Sequence, residues 1–263
     1  MTEPVSYDVQ EQVATVTLAR PEAMNSLDTA TKEALLSAVT RASGDTDVRC
    51  VVITGSGRAF SVGQDLREHV ELLNDRPLDE VWSTVERHYA PIARTLATMA
   101  KPVLAAVNGV AAGAGLSIAL ACDMRIAADS AGFNTAFTGV ALSCDTGISW
   151  TLPRLIGPTK ALELLLMPRT LDAAEALDLG ILNQVVPAAE LMTTVQALAS
   201  TLAAGPTLAY ASIKQSVAYA AAHPLDETLA FEARMMARTG GSADHRHAVA
   251  SFVAKQQPTF EGR

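Results

Sequence analysis

The feature that most constrains this chain is a run of twenty residues, VLAAVNGVAAGAGLSIALAC, from Val103 to Cys122, without one charged side chain. A run of that length can cross a bilayer. Asn108-Gly109 is a turn dipeptide, however, and splits it into VLAAV and a Gly/Ala-rich second part. Alanine and glycine also drive insertion far less than leucine or isoleucine. The run therefore reads as a buried strand, a turn and a buried helix. Phosphate-loop readings fail on spacing. Gly113-Ala114-Gly115 begins a GxG, but the third glycine of GxGxxG would fall at Ile118, and after Gly55-Ser56-Gly57 it would fall at Phe60. Neither stretch contains GKS or GKT, so neither a dinucleotide fingerprint nor a Walker loop is supported.

The rest of the chain places that run in an alternating pattern. VATVTLA (Val13–Ala19) reads as a strand, and Asp28 as the N-cap of a helix reaching to about Ser43. VRCVVIT (Val48–Thr54) is a buried strand that ends in GSG. Residues Arg67–Pro77 are polar without a clear period and read as a mobile loop. Helical spacing resumes through VWSTVERHYAPIARTLATM. VLAAV is then a strand, GAGLSIALA a helix, MRIAA and GFNTAF short strands, and the chain from Thr146 onward nearly all helix. The expected class is α/β, with a helical C-terminal region. At 263 residues the chain can bury a sizeable core.

Several functions are disfavoured by composition. A net charge of −8 lacks the basic footprint of nucleic-acid binding. Cys50, Cys122 and Cys144 show neither disulfide nor zinc spacing. The N-terminal MTEPVSYDVQEQ has no basic segment followed by an apolar core, so a cytoplasmic protein without a membrane segment is expected.

The glycines suggest chemistry. Twice a strand runs into a Gly-rich turn: VVIT into GSGRAFSVGQDL, and VLAAV into NGVAAGAG. Side by side, two such turns can aim two backbone N–H groups at one oxygen, as in an oxyanion hole. The second turn opens a helix whose N-terminus favours the same negative charge. Two ordinary structural turns are the alternative. Cys144 lacks an interpretable histidine partner, and Ser61 and Ser117 do not lie in GxSxG. His245 and His247 fall on a solvated final helix, and i,i+2 positions do not share a face. His88 and Tyr89 are candidates for an acyl pocket, with helix-surface or core roles as the alternatives.

With LARPEAMNSL, VVITGSGRAFSVGQDL, KPVLAAVNGVAAGAGLSIALACDMRIAAD, DTGISWTLPRLIG and SADHRHAVASFVAKQQPTF in this order, the sequence resembles the crotonase superfamily, the enoyl-CoA hydratases and isomerases, over essentially its full length. The resemblance implies a crotonase-like spiral of repeated ββα units over residues 1–200, carrying the CoA site, and a C-terminal helical trimerisation region over 201–263. It implies a homotrimer or a hexamer built as a dimer of trimers. It also implies an acyl-CoA thioester substrate, with coenzyme A as part of that substrate, no permanent cofactor and no metal. The oxyanion donors carry over as the N–H groups of Gln64 and Ala114, beside Gly63 and Gly113. Ser61, Val62, Asp65 and Leu66 fall where the family builds its adenine pocket. Arg20 and Lys255 fall where it holds CoA phosphates, the latter from a neighbouring subunit.

The family's hydratases place two glutamates beside the oxyanion hole. Ser117 and Phe137 stand at those positions here, and neither can serve as a carboxylate base. One carboxylate remains nearby, Asp145 in LSCDTGISW. It resembles the proton-shuttling aspartate of the ring-epoxide isomerase branch of phenylacetate catabolism, a branch also suggested by VERHYAP, PTLAYASIKQS and GGSAD. Read from the residues alone, Asp145 is a good N-cap for the following helix. With the resemblance it is a base whose pKa is raised by a wall of Phe137, Leu142 and Trp150. The favoured expectation is an isomerase in which Asp145 moves one proton while Gln64 and Ala114 hold the enolate. The alternatives are a hydratase-like enzyme, an aromatic acyl-CoA dehalogenase or hydrolase and a non-catalytic acyl-CoA binder. The dehalogenases use an aspartate matching Asp145 and a ring-binding position matching Phe137, but their histidine base falls at Ala90.

Overall fold

The computed structural model describes residues 3–262. Among the described residues ten strands form two sheets. The larger contains β1 (Val5–Gln10), β2 (Val13–Leu18), β3 (Cys50–Gly55), β5 (Val103–Val107), β7 (Met124–Ala128) and β10 (Gln184–Val186), in the order β1-β2-β3-β5-β7-β10. The smaller contains β4 (Ala59–Ser61), β6 (Val110–Ala112), β8 (Gly132–Asn134) and β9 (Leu171–Asp172), in the order β4-β6-β8-β9. Among the described residues only β1–β2 and β8–β9 are antiparallel.

This topology repeats one unit. After each long buried strand the chain makes a tight turn and adds a short strand to the second sheet. The pairs are β3 then β4, β5 then β6, β7 then β8. Because β3, β5 and β7 are parallel neighbours in one sheet and β4, β6 and β8 in the other, successive units stack as a spiral. The expected spiral of ββα units is thus the architecture observed. The long strands are buried on both faces and read as near-continuous apolar runs, as parallel strands do.

The uncharged run becomes β5, a turn, β6 and α5 (Ala114–Ala121), a helix buried at every position. Helix α1 (Thr29–Gly44) starts at Asp28, whose carboxylate accepts from the Thr31 N–H, as expected of an N-cap.

Residues 67–77 differ from the sequence expectation. They are not a loop: α2 (Leu66–Asp75) runs through them. Asp65 caps it by accepting from the N–H groups of Arg67 and Glu68, and Leu66, Val70 and Leu73 form a narrow apolar edge at i, i+4 and i+7. That edge was obscured by the charged residues between its members. The region after Thr146 is also not wholly helical, since it contributes β9 and β10.

Helices α3 (Leu78–Thr84) and α4 (Ala90–Thr98) are joined by a π-turn, Val85–Tyr89, rather than by a loop. Pro91 explains the widening. It cannot donate to the Arg87 carbonyl, and its ring would clash with that carbonyl in a regular turn. The Ala90 N–H bonds to the Val85 carbonyl instead. The wider turn directs His88 and Tyr89 inward, and both are buried.

Beyond α6 (Ile148–Ile156), α7 (Pro158–Leu166) and α8 (Ala173–Asp178), helix α9 (Leu191–Ala203) covers the outer face of the large sheet. Its Val195 and Ala199 pack with Val52, Leu104 and Ile126. The chain ends in α10 (Thr207–Ala220), α11 (Leu225–Gly240) and α12 (Ala243–Val253). Buried Arg49 ties this end to the spiral by donating to Thr207 Oγ1 at 2.8 Å, the Phe260 carbonyl at 2.9 Å and the Gly205 carbonyl. No helix among the described residues is long and apolar enough to cross a membrane.

Candidate active site

The site follows from the second sheet. Parallel pairing sets β4, β6 and β8 side by side, with Ser61 opposite Ala111 and Ala112 opposite Asn134. The segments leaving the C-terminal ends of these strands therefore emerge next to one another. They deliver Gln64, Ala114 and Phe137 to a single place, and all three line one cavity.

Two backbone N–H groups are left free there. Leu27 forms a parallel bridge with Gln64 by donating to the Gly63 carbonyl and accepting from the Asp65 N–H. The Gln64 N–H thus points away from Leu27, and no acceptor for it is found among the described residues. Ala114 is the first residue of α5, where no intrahelical acceptor exists, and its N–H also lacks a partner among the described residues. Gly113 precedes it at φ 52, ψ −125, a conformation that suits glycine. Gly63, at φ +83, lies against the Ala112–Ala114 backbone. The two Gly-rich turns read from the sequence are thus in contact, with unpaired donors on both.

Asp145 lines the same cavity, with Gly113, Phe137, Leu142, Tyr89, Val62 and Leu66. Its side chain does not cap α6. The cap is Gly147, no side chain participates, and Asp145 contributes only its carbonyl, to the Ile148 N–H. The capping reading is therefore corrected. Among the described residues the carboxylate accepts a single hydrogen bond, from Thr146 Oγ1 at 2.8 Å. Burial raises its pKa from the ordinary carboxylate value, against the opposing effects of the Thr146 hydrogen bond and the Lys32 charge. The wall that does this includes Phe137 and Leu142 but not Trp150, which is half exposed and lies under the Arg154 guanidinium, lining a different cavity.

The other expected residues are distributed as follows. Ser61 is fully buried; its hydroxyl donates to the Asn25 carbonyl and accepts from the Gly63 N–H, so it shapes the turn behind the cavity. The Asp65 carboxylate is consumed by Ser26 Oγ, Arg20 and the start of α2. Arg20 is held between Asp28, at 3.0 Å, and Asp65, at 3.1 Å. Lys255 is exposed just after α12, outside the cavity lining. Ser117 is buried, with its hydroxyl donated to the Gly113 carbonyl.

Sequence reasoning missed Lys32, His69, Thr84 and Trp82. His69, Thr84 and Trp82 line the cavity. Lys32 lines an adjoining cavity that also touches Gln64, Thr84 and His88. His69 packs edge-on to Trp82 and has its pKa lowered, first by burial and then by Lys32. Lys32 had a signal: it stands three residues before Leu35 and seven before Val39, within the buried stripe of α1, where a lysine is out of pattern.

The enclosed volume, about 120 Å³, is smaller than the roughly 300–1,000 Å³ of ordinary ligand pockets. Exposed Leu66, Trp82 and Val140 on its lining carry the apolar surface outward. Chemically the arrangement offers two oxyanion donors, one carboxylate of raised pKa and an apolar wall. No cluster of side chains suited to a metal ion occurs among the described residues.

The profile of the family described as Enoyl-CoA hydratase/isomerase matches residues 8–263. The 1,2-epoxyphenylacetyl-CoA isomerase of Escherichia coli is 40% identical over 269 aligned positions covering 100% of both chains. A Rhodobacter capsulatus protein provisionally named an enoyl-CoA hydratase is 40% identical over 260 positions, 98% of each chain. A crystal structure from Mycobacterium abscessus, provisionally named an enoyl-CoA hydratase/isomerase, superposes with a TM-score of 0.95 at 43% identity, covering 98% of this chain and 100% of that one.

Proposed function

The chain belongs to the enoyl-CoA hydratase/isomerase family, and from that premise we propose that it is an isomerase, one that shifts a double bond or opens a ring epoxide in an acyl-CoA thioester by a single-aspartate proton shuttle. The observation that carries this reading is that, among the described residues, Asp145 is the only carboxylate lining the cavity onto which the Gln64 and Ala114 turns open.

For a 3-enoyl thioester the steps balance without a second group. Asp145 takes a proton from C2, and the electron pair of that C–H bond moves into the thioester, leaving negative charge on its oxygen. The Gln64 and Ala114 N–H groups hold that oxygen, each donor contributing about 3 kcal/mol by oxyanion-hole precedent. The protonated Asp145 then returns the proton to C4, giving the conjugated 2-enoyl isomer. A carboxyl of raised pKa suits both halves of this exchange. The family's two-glutamate route to hydration would lack both of its carboxylates here. Ser117 is committed to the Gly113 carbonyl and Phe137 is apolar. The aspartate-nucleophile alternative would need a base where Ala90 begins α4.

The reading extends to assembly. Exposed Ile213, Val217, Leu225, Leu229, Met236 and Phe252 on the last three helices support a trimer or hexamer built through residues 201–263, with the spiral of residues 1–200 as the catalytic unit. In that assembly a neighbouring Lys255 would reach the CoA phosphates.

The test is to follow thioester conjugation by ultraviolet absorbance, offering the protein a 3-enoyl-CoA and, separately, a 2-enoyl-CoA. Faster gain of conjugation from the first than loss from the second supports the isomerase. The reverse order would assign a hydratase.

A further inference from the structure

Behind the cavity lies a polar chain that the proposed reaction does not use. Lys32 is 1% exposed, and its ammonium donates to Thr84 Oγ1 at 2.9 Å and to Gln64 Oε1 at 3.3 Å. Tyr89, equally buried, donates its hydroxyl to the same Gln64 oxygen at 2.6 Å. Thr84 passes the chain on to His88 Nδ1 at 3.1 Å. The ammonium also lies 5.5 Å from the centre of the Tyr89 ring. Among the described residues it forms no ion pair. A buried cation with neutral partners alone is costly, which makes its placement informative.

The charges around it are unequal in their commitments. Glu68, Asp28, Asp145 and Asp65 all act on Lys32 through space and oppose the lowering of its pKa by burial. Glu68 accepts from the Thr29 N–H, Asp28 caps α1 and pairs with Arg20, and Asp65 caps α2 and pairs with Arg20. Asp145 alone among the four lines the reaction cavity, with one neutral donor. Tyr89 and His88 on the π-turn and His69 on α2 are also near Lys32, and Glu33, Arg76, Glu80 and Arg87 line the same adjoining cavity.

We propose that Lys32 is a positioning residue: its ammonium, with the Tyr89 hydroxyl, clamps the side chain of Gln64, whose N–H is one oxyanion donor. The proposal rests on the reading of the Gln64 N–H as an oxyanion donor. No bond to Lys32 forms or breaks.

The test uses the full-length protein in wild-type, Lys32→Met, Lys32→Arg and Asp145→Asn forms. Lys32→Met is expected to lower kcat for isomerisation roughly tenfold, with KM changed less than about threefold. Lys32→Arg, which keeps a charged donor, is expected to hold kcat within about threefold of wild type. Lys32→Gln replaces Lys32→Met if the latter does not fold. An unchanged kcat in the uncharged variant, or a kcat lowered as far by Arg as by Met, would each overturn the proposal. Full turnover by Asp145→Asn would instead overturn the reading of the base.

Discussion

The backbone of Gly63 lies so close to that of Ala114 that a Cβ on Gly63 would stand 3.1 Å from the Ala114 nitrogen and 2.9 Å from the Ala112 oxygen. The turn that carries the Gln64 donor and the turn that carries the Ala114 donor are thus in van der Waals contact through a residue without a side chain. Gly63 also sits at φ +83, where a side chain adds strain.

Gly63→Ala is therefore predicted to damage catalysis more than stability, because it pries apart the two donors. A loss of about 100-fold in kcat is expected, the scale of one oxyanion donor removed. Steady-state kinetics beside a thermal melt would check this, and a melt that falls while kcat holds would contradict it.

Asp145 should make the protein's stability depend on pH with a sign opposite to that of most carboxylates. Its folded pKa is raised by burial, so the folded chain binds this proton more tightly than the unfolded one. Stability is therefore lost as pH rises from the unfolded carboxylate range, about 3.9, through the folded value, and the cost persists in full above it. Asp145→Asn is expected to raise Tm by about 1–3 °C at pH 7. Near pH 3.5 it should leave Tm unchanged. Melts of both proteins across this range would measure it.

Arg49 joins the two ends of the chain. Replacing it with Met leaves the Phe260 and Gly205 carbonyls and Thr207 Oγ1 without their shared donor. A destabilisation of about 2–4 kcal/mol is expected in denaturant unfolding. Catalytic constants measured well below the melting temperature should change little, since Arg49 does not line the cavity.

Much of this molecule is legible in its sequence, for physical reasons that can be named. The uncharged run reads as buried strand, turn and helix because Asn108-Gly109 interrupts it and no charge restricts its faces, but the three-residue strand β6 between turn and helix gave no signal of its own. The Gly-rich turns announced two exposed backbone segments, but that they touch depends on the parallel pairing of β4 with β6, a long-range fact. Helix α2 was hidden because its apolar edge is one side chain wide, and the Asp65 cap was the signal to weigh. Asp145 looked like a cap because Asp before Thr-Gly often is one. Only the positive φ of Thr146 and Gly147 takes its side chain off the helix end. Lys32 was legible as an anomaly in the α1 stripe, yet its partner Gln64 lies thirty-two residues away in sequence.

The most direct test of the central claim compares wild type with Asp145→Ala in converting a 3-enoyl-CoA to its conjugated isomer, with binding of a non-reactive CoA thioester measured alongside. The variant is expected to bind the thioester within a few-fold of wild type while its turnover falls by about 10²–10⁴, the range of general acid–base catalysis. Turnover surviving in Asp145→Ala would contradict the single-aspartate shuttle.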